Sequence, residues 1–193
     1  MAEYKNAKLK IFAQQGPDDL AIFCDCDRDL APSVVTRADK ECFEHKGFFT
    51  PTSLLGEHNQ ANLKASWMAV RPFGVSLDDA KLAAASFKPL PHRMENLGEK
   101  SGILYVNDSK CTTVEALRVA LEGMERPVVL LAGGVFKGGD LASLVPVLRK
   151  RARAVALFGA SRDKFEPAWK DAVPVSWDAT LEEAVKRARS IAR

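Results

Sequence analysis

Pro127-Val128-Val129-Leu130-Leu131-Ala132-Gly133-Gly134-Val135-Phe136-Lys137-Gly138-Gly139-Asp140 is a strand-sized apolar run that breaks into a glycine-rich loop. No polar residue alternates within the run, so a strand here has both faces covered, which is the habit of parallel sheets. Outward from it, apolar strands and helical patterns take turns: strand 103–106, helix 113–123, strand 128–132, helix 141–150, strand 154–158 and helix 162–171. Thr180-Leu181-Glu182-Glu183 then opens a last helix with the spacing of a capping box. Short strands each followed by a helix predict an open α/β domain with a mostly parallel sheet. In such sheets ligands gather at the carboxyl ends of the strands, which directs attention to the loops after Val106 and Ala132.

The preceding half reads differently. Tyr4, Ala7, Lys8, Ile11 and Phe12 are spaced as one face of a helix, and Leu20-Ala21-Ile22-Phe23-Cys24 is an apolar strand. Residues 25–46 are polar, with few periodic signals, and suggest irregular structure. Two helices are expected over 59–70 and 77–87, separated by the breaker group Arg71-Pro72-Phe73-Gly74. Lys88-Pro89-Leu90-Pro91 bars continuation of a helix, because proline lacks the N–H and restricts the residue before it. The fold class expected is therefore α/β, with a first domain over 1–90 and a Rossmann-like second domain over 91–193.

With 193 residues, 47% of them hydrophobic and 27% charged, the chain can bury the core of one large or two small domains. Its apolar runs are far shorter than a membrane span, and no basic stretch followed by an apolar one opens it, so a soluble, cytoplasmic protein without a membrane partner is expected. A net charge of +3, spread over helices that also carry acids, gives nucleic-acid binding no support. Cys24, Cys26, Cys42 and Cys111 form no CxxC pair and have no histidine at zinc spacing, which points to reduced, mostly buried thiols without a metal. The opening helix begins at once and the closing one has no strand after it, so both ends look cut.

Four motifs carry polar chemistry. Asn107-Asp108-Ser109-Lys110-Cys111-Thr112-Thr113 leaves a strand and enters a helix, with Thr112 and Glu115 spaced as a capping box. Unpaired N–H groups, the helix dipole and Lys110 together favour a phosphate or carboxylate there, although a plain cap beside a solvated lysine has the same spelling. The loop from Gly133 to Asp140 holds four glycines around Lys137; it matches neither a Walker sequence nor a dinucleotide fingerprint, and a simple turn is the competing reading. Leu55-Gly56-Glu57-His58-Asn59-Gln60-Ala61-Asn62 puts two amides near one face of a first helical turn, where they can read a heterocycle edge unless Asn59 merely caps. His58 alone reads as a structural hydrogen-bonder. Leu90-Pro91-His92-Arg93-Met94-Glu95 places Arg93 at the domain junction, with a surface ion pair to Glu95 as the alternative.

Taken in this order, these motifs resemble the Mur ligase family. Gly-x-His-Asn-x-x-Asn is shared across that family, whereas Leu-Pro-His-Arg-x-Glu followed by Asn-Asp-Ser-Lys is similar to its D-glutamate-adding branch; the likeness runs from about Glu3 onward and is weakest over 25–49. The resemblance implies that 1–90 is the later part of a central ATP-binding domain and 91–193 an amino-acid-binding domain. It also implies the reaction: D-glutamate is joined to UDP-N-acetylmuramoyl-L-alanine through an acyl phosphate made with ATP and Mg2+, for peptidoglycan precursors, by a cytoplasmic monomer. By the same resemblance, Tyr4-Lys5-Asn6-Ala7-Lys8 makes Lys8 the lysine that is carbamylated to help hold magnesium. Asn59 and Asn62 become adenine-side amides, and Arg93 and Asp108 contacts to the nucleotide phosphates and ribose. Lys110 and Thr112 fall near the acyl phosphate and D-glutamate, and Lys137 near the D-glutamate carboxylate. Val135-Phe136 stands where the family usually has a polar or acidic residue. The family's phosphate-cradling loop, its UDP-binding domain and its histidine and glutamate magnesium ligands would precede Met1, and the loop that closes over D-glutamate would follow Arg193. A segment with weak or no turnover of its own is expected. The rivals are a non-catalytic nucleotide-binding or interaction module, and a dinucleotide-dependent oxidoreductase. The second is disfavoured because Asn-Asp-Ser-Lys, not glycines, follows the first strand of the second domain.

Overall fold

A computed structural model describes residues 2–27 and 29–193, which divide into two compact units, Met1–Lys88 and Pro89–Arg193. The side chains of Tyr4 and Cys26, on which a helix face and a thiol were expected, lie outside those described.

In the first unit, α1 (Ala2–Leu9) runs into a 3-10 turn at Lys10–Phe12, and β1 (Leu20–Cys24) pairs in parallel with β2 (Asp39–Phe43), Leu20 opposite Asp39 and Cys24 opposite Phe43. β1 alternates as a half-covered strand does: Ala21 and Phe23 turn inward, meeting Val34 and Ala38, and the Phe12 ring stacks on Phe23 at 5.2 Å. α2 (Glu57–Val70) ends in the expected breaker, a 3-10 turn at Arg71–Phe73 closed by Gly74 at φ 86°, a left-handed conformation that glycine adopts without strain. α3 (Leu77–Ser86) starts at Ser76, whose hydroxyl accepts the Asp79 amide proton. β2 corrects the expectation of irregular structure over 25–46: Asp-Lys-Glu-Cys-Phe buries Phe43 alone, so its sequence carries no strand pattern. The expectation of reduced, mostly buried thiols is corrected as well, at the three described cysteines. Cys24 is disulfide-bonded, Cys42 is free and exposed, and Cys111 is free and partly exposed.

The second unit opens with an antiparallel hairpin, β3 (Glu95–Lys100) and β4 (Ile103–Asn107), joined by Ser101 and Gly102 at φ 54° and 76°. Positive φ at both central residues is what lets a two-residue turn match the twist of its strands. After α4 (Val114–Glu122), a parallel sheet is laid down in the order β5 (Val128–Gly133), β6 (Ala152–Phe158), β7 (Val175–Asp178), with α5 (Val145–Arg151), α6 (Arg162–Trp169) and α7 (Leu181–Ala192) interleaved. The α/β class with mostly parallel pairing stands. Strand 103–106, expected to lead the parallel sheet, instead hydrogen-bonds to β3, and β7 is a strand that the residue pattern did not announce.

Both faces of β6 are covered, as its unbroken apolar run requires. Val155 and Leu157 join Leu121, Leu144, Leu148 and Trp169 in one core, while Ala156 meets Ala184 and Ala188 of α7 on the other side. Trp169 is fully buried and satisfies its indole by donating to the Leu141 carbonyl at 2.9 Å. The capping box at Thr180 and Glu183 forms in full, with each side chain accepting from the other residue's backbone N–H. The Asp178 carboxylate is held below its ordinary range by Arg187, which donates to both of its oxygens.

Candidate functional site

Two of the motifs meet in the second unit. The turn after Pro91 places His92 at φ 66° and Met94 at φ 44°, left-handed conformations that cost side-chain-bearing residues energy unless something holds them. Carboxylates do so. Glu95 accepts the His92 amide proton at 2.8 Å, and Asp108, from the loop after β4, accepts that of Met94 at 3.0 Å. The loop is tied back in turn: the Lys110 amide donates to the His92 carbonyl at 3.0 Å, and the Asn107 amide nitrogen lies 2.8 Å from His92 Nδ1. Leu-Pro-His-Arg-x-Glu and Asn-Asp-Ser-Lys are thus one hydrogen-bonded cluster, from which Arg93, Lys110 and Thr112 emerge exposed. Behind it, burial and the neighbouring Asp108 charge push the Cys111 thiol up to about 11.

The glycine loop that follows β5 reaches the start of α4, the helix that the Asn-Asp-Ser-Lys loop enters. Gly139, at φ 117°, lies so close to Val114, the first residue of α4, that a Cβ there would sit 2.8 Å from Val114 Cγ2. Gly133 is equally constrained, since its Cβ would stand 2.4 Å from the Phe158 carbonyl oxygen. Phe136 turns into the core, its ring edge-to-face with that of Phe165 and the centroids 5.5 Å apart, while Val135 and Lys137 on either side are exposed. Of the two positions where a polar or acidic residue was anticipated, Phe136 is therefore spent on packing and Val135 is exposed. The capping residue of α4 is Thr113, which accepts the Ala116 amide proton at 3.2 Å. This corrects the expected Thr112 and Glu115 box; Glu115 pairs with Arg118 instead.

In the first unit, Asn59 and Asn62 stand side by side at the start of α2, the Asn62 amide donating to the Asn59 oxygen at 3.4 Å while Asn59 donates to the Leu55 carbonyl at 2.7 Å. Asn62 is exposed and Asn59 partly so. Lys8 lies on α1, also exposed.

Searched against known proteins, the chain matches no family model. Individual relatives are clear. It is 55% identical over all of its residues to the UDP-N-acetylmuramoylalanine–D-glutamate ligase of Nitratidesulfovibrio vulgaris (strain DP4), covering 45% of that protein. To the ligase of the same name from Lawsonia intracellularis it is 48% identical, again over the full chain, covering 44%. Over its whole length, the chain is homologous to part of a Mur ligase. It thus spans less than half the length of these ligases. Among solved structures, Mycobacterium tuberculosis folylpolyglutamate synthase complexed with ADP superposes with a TM-score of 0.72 over 98% of the chain and 52% of its own length, at 17% identity, a likeness of fold.

Within the second unit, Arg93, Asp108, Lys110 and Thr112 belong to one hydrogen-bonded turn and the strand-to-helix loop tied to it, and the loop that carries Lys137 approaches the start of α4 through Gly139; in the first unit, Asn59 and Asn62 form a pair on α2 and Lys8 sits on α1. His92, Glu95 and Asn107, which set the shape of the turn, were not singled out by residue type; the clue was the hairpin that returns the chain to its start. A groove of about 460 Å3 in the first unit, lined by Ile11, Asp18, Ile22 and Phe73, contains none of the Mur ligase motif residues. Gln14, Gln15 and Asp19 also line it, beside the exposed Ile11 and Phe73. Among the described residues, no helix is long and apolar enough to cross a membrane, and no three His, Cys, Asp or Glu side chains converge as a metal site.

Proposed function

We propose that the chain supplies part of the nucleotide-binding and amino-acid-binding residues of an ATP-dependent ligase that joins D-glutamate to UDP-N-acetylmuramoyl-L-alanine during peptidoglycan precursor synthesis in the cytoplasm. The single observation that carries the reading is the cluster in which His92–Glu95 and Asn107–Lys110 hold each other, in a chain that is 55% and 48% identical to two ligases named for that reaction. On this reading residues 1–90 are the later part of a central ATP-binding domain and 91–193 an amino-acid-binding domain, in a monomer.

The reaction has two steps: the substrate carboxylate takes the γ-phosphoryl group of ATP, releasing ADP, and the D-glutamate amine then displaces phosphate to leave an amide. Both pass through concentrated negative charge, so fixed cations and N–H groups lower the barrier more than acid–base chemistry does. Lys110, whose backbone is tied to His92, and Lys137, between two anchored points of its loop, are assigned to the acyl phosphate and the D-glutamate carboxylate, with Thr112 beside them. Arg93 is assigned to nucleotide phosphate and Asp108 to ribose. Asp108 Oδ1 is engaged by the Met94 amide, which fixes the carboxylate at the mouth of the turn. Asn59 and Asn62 fit an adenine edge, since paired amides donate and accept together.

Magnesium fits this chain only conditionally. Unmodified Lys8 offers an ammonium, which a hard cation does not take; a carbamate on it would offer oxygen, with the remaining ligands coming from outside the described residues. On this reading the chain by itself has weak or no ligase turnover. Calorimetry with ADP tests the nucleotide role: binding is expected, weakened about fivefold or more by Asn62→Ala or Arg93→Ala. Absence of binding to the folded chain would instead favour a bare scaffold that has kept the fold without the chemistry.

A further inference from the structure

Ser161 occupies the N-cap position of α6, in the turn after β6, and is 7% exposed. A serine there ordinarily turns its hydroxyl onto the first amides of its own helix. Ser161 makes no such bond; its carbonyl serves the Lys164 and Phe165 amides, and its hydroxyl crosses to the neighbouring loop. There Oγ donates to the Gly134 carbonyl and accepts the Phe136 amide proton, both at 2.8 Å. Gly159, at φ 75°, makes room for this approach, for a Cβ at that position would lie 3.3 Å from the Gly134 nitrogen.

The glycine loop is therefore fastened at Phe136, by the Ser161 hydroxyl and by ring packing on Phe165, and again at Gly139 against Val114. Lys137 lies between the two fastenings. We propose that Ser161 is a positioning residue for Lys137: by bridging Gly134 and Phe136 it sets the loop shape in which the lysine meets the anionic end of the amino-acid substrate. This rests on the reading of the loop as the D-glutamate carboxylate site. Removing the hydroxyl leaves a part-buried donor and acceptor without partners, which frees the loop.

The test compares the full chain with its Ser161→Ala and Ser161→Thr variants by NMR, following hydrogen exchange of the Phe136 amide and titration with D-glutamate. Ser161→Ala is expected to speed Phe136 exchange by about tenfold and weaken D-glutamate by a similar factor, with the buried Trp169 indole as protected as before. Ser161→Thr, which keeps the hydroxyl, restores both. If Ser161→Ala does not fold, Ser161→Cys, of similar volume but with weaker hydrogen bonds, is read in the same way. Unchanged Phe136 exchange and D-glutamate affinity in a folded variant, or failure of threonine to restore them, would overturn the proposal. If the wild-type chain takes up no D-glutamate, the substrate reading fails separately, and Phe136 exchange alone decides whether Ser161 sets the loop.

Discussion

Asp108 accepts the Met94 amide proton and borders the Cys111 thiol, so the carboxylate that holds a left-handed turn also adds to the upward shift that burial imposes on that thiol. Because the folded thiol keeps its proton from 9.0 up to about 11, the stability it contributes is complete below the lower value and is lost as the pH rises through the upper one. Two consequences are expected at pH 8. Iodoacetamide should modify exposed Cys42 well before Cys111, and Asp108→Asn, which keeps an oxygen for Met94, should hasten the modification of Cys111. Equal rates at the two cysteines, measured by mass spectrometry, would contradict this environment. At this scale the sequence revealed which residues carry charge, and Asn-Asp-Ser-Lys stood out for that reason. It did not reveal that His92 and Met94 adopt positive φ: methionine does not favour that conformation, histidine is only modestly enriched in it, and the clamp on Met94 lies on distant Asp108.

Helix and strand identities were legible where burial shapes the pattern. β1 and β5 are apolar and α7 announces itself through Thr180 and Glu183, whereas β2 and β3 expose most of their side chains and read as polar loops. The hairpin of β3 and β4 hid for a further reason: its Ser101-Gly102 turn is encoded by backbone freedom rather than by an apolar pattern. Adjacent threonines left the start of α4 ambiguous by one position, a question of which hydroxyl meets an amide. Thr113→Ala should cost about 1 kcal/mol in denaturant unfolding, as loss of a helix cap does, while Thr112→Ala should change little. A larger loss from Thr112→Ala would return the cap to the expected position.

On the proposed reading each unit carries its own part of the ligand chemistry: an amide pair at the start of α2 in the first, and in the second a lysine on the loop before α4 and another on a glycine loop that touches the start of α4 through Gly139 and Val114. The alternation of strands and helices made the second unit readable as an α/β domain, but the convergence of its loops depends on glycine contacts that no residue pattern records. That convergence is the centre of the account. An NMR titration of the chain with D-glutamate, with L-glutamate as the control, tests it most directly. Amides of 107–113 and 133–140 are expected to shift together, with the D enantiomer and not the L, and Lys137→Ala should abolish the response. Shifts confined to one loop, identical responses to both enantiomers, or no shift at all would contradict a shared amino-acid site.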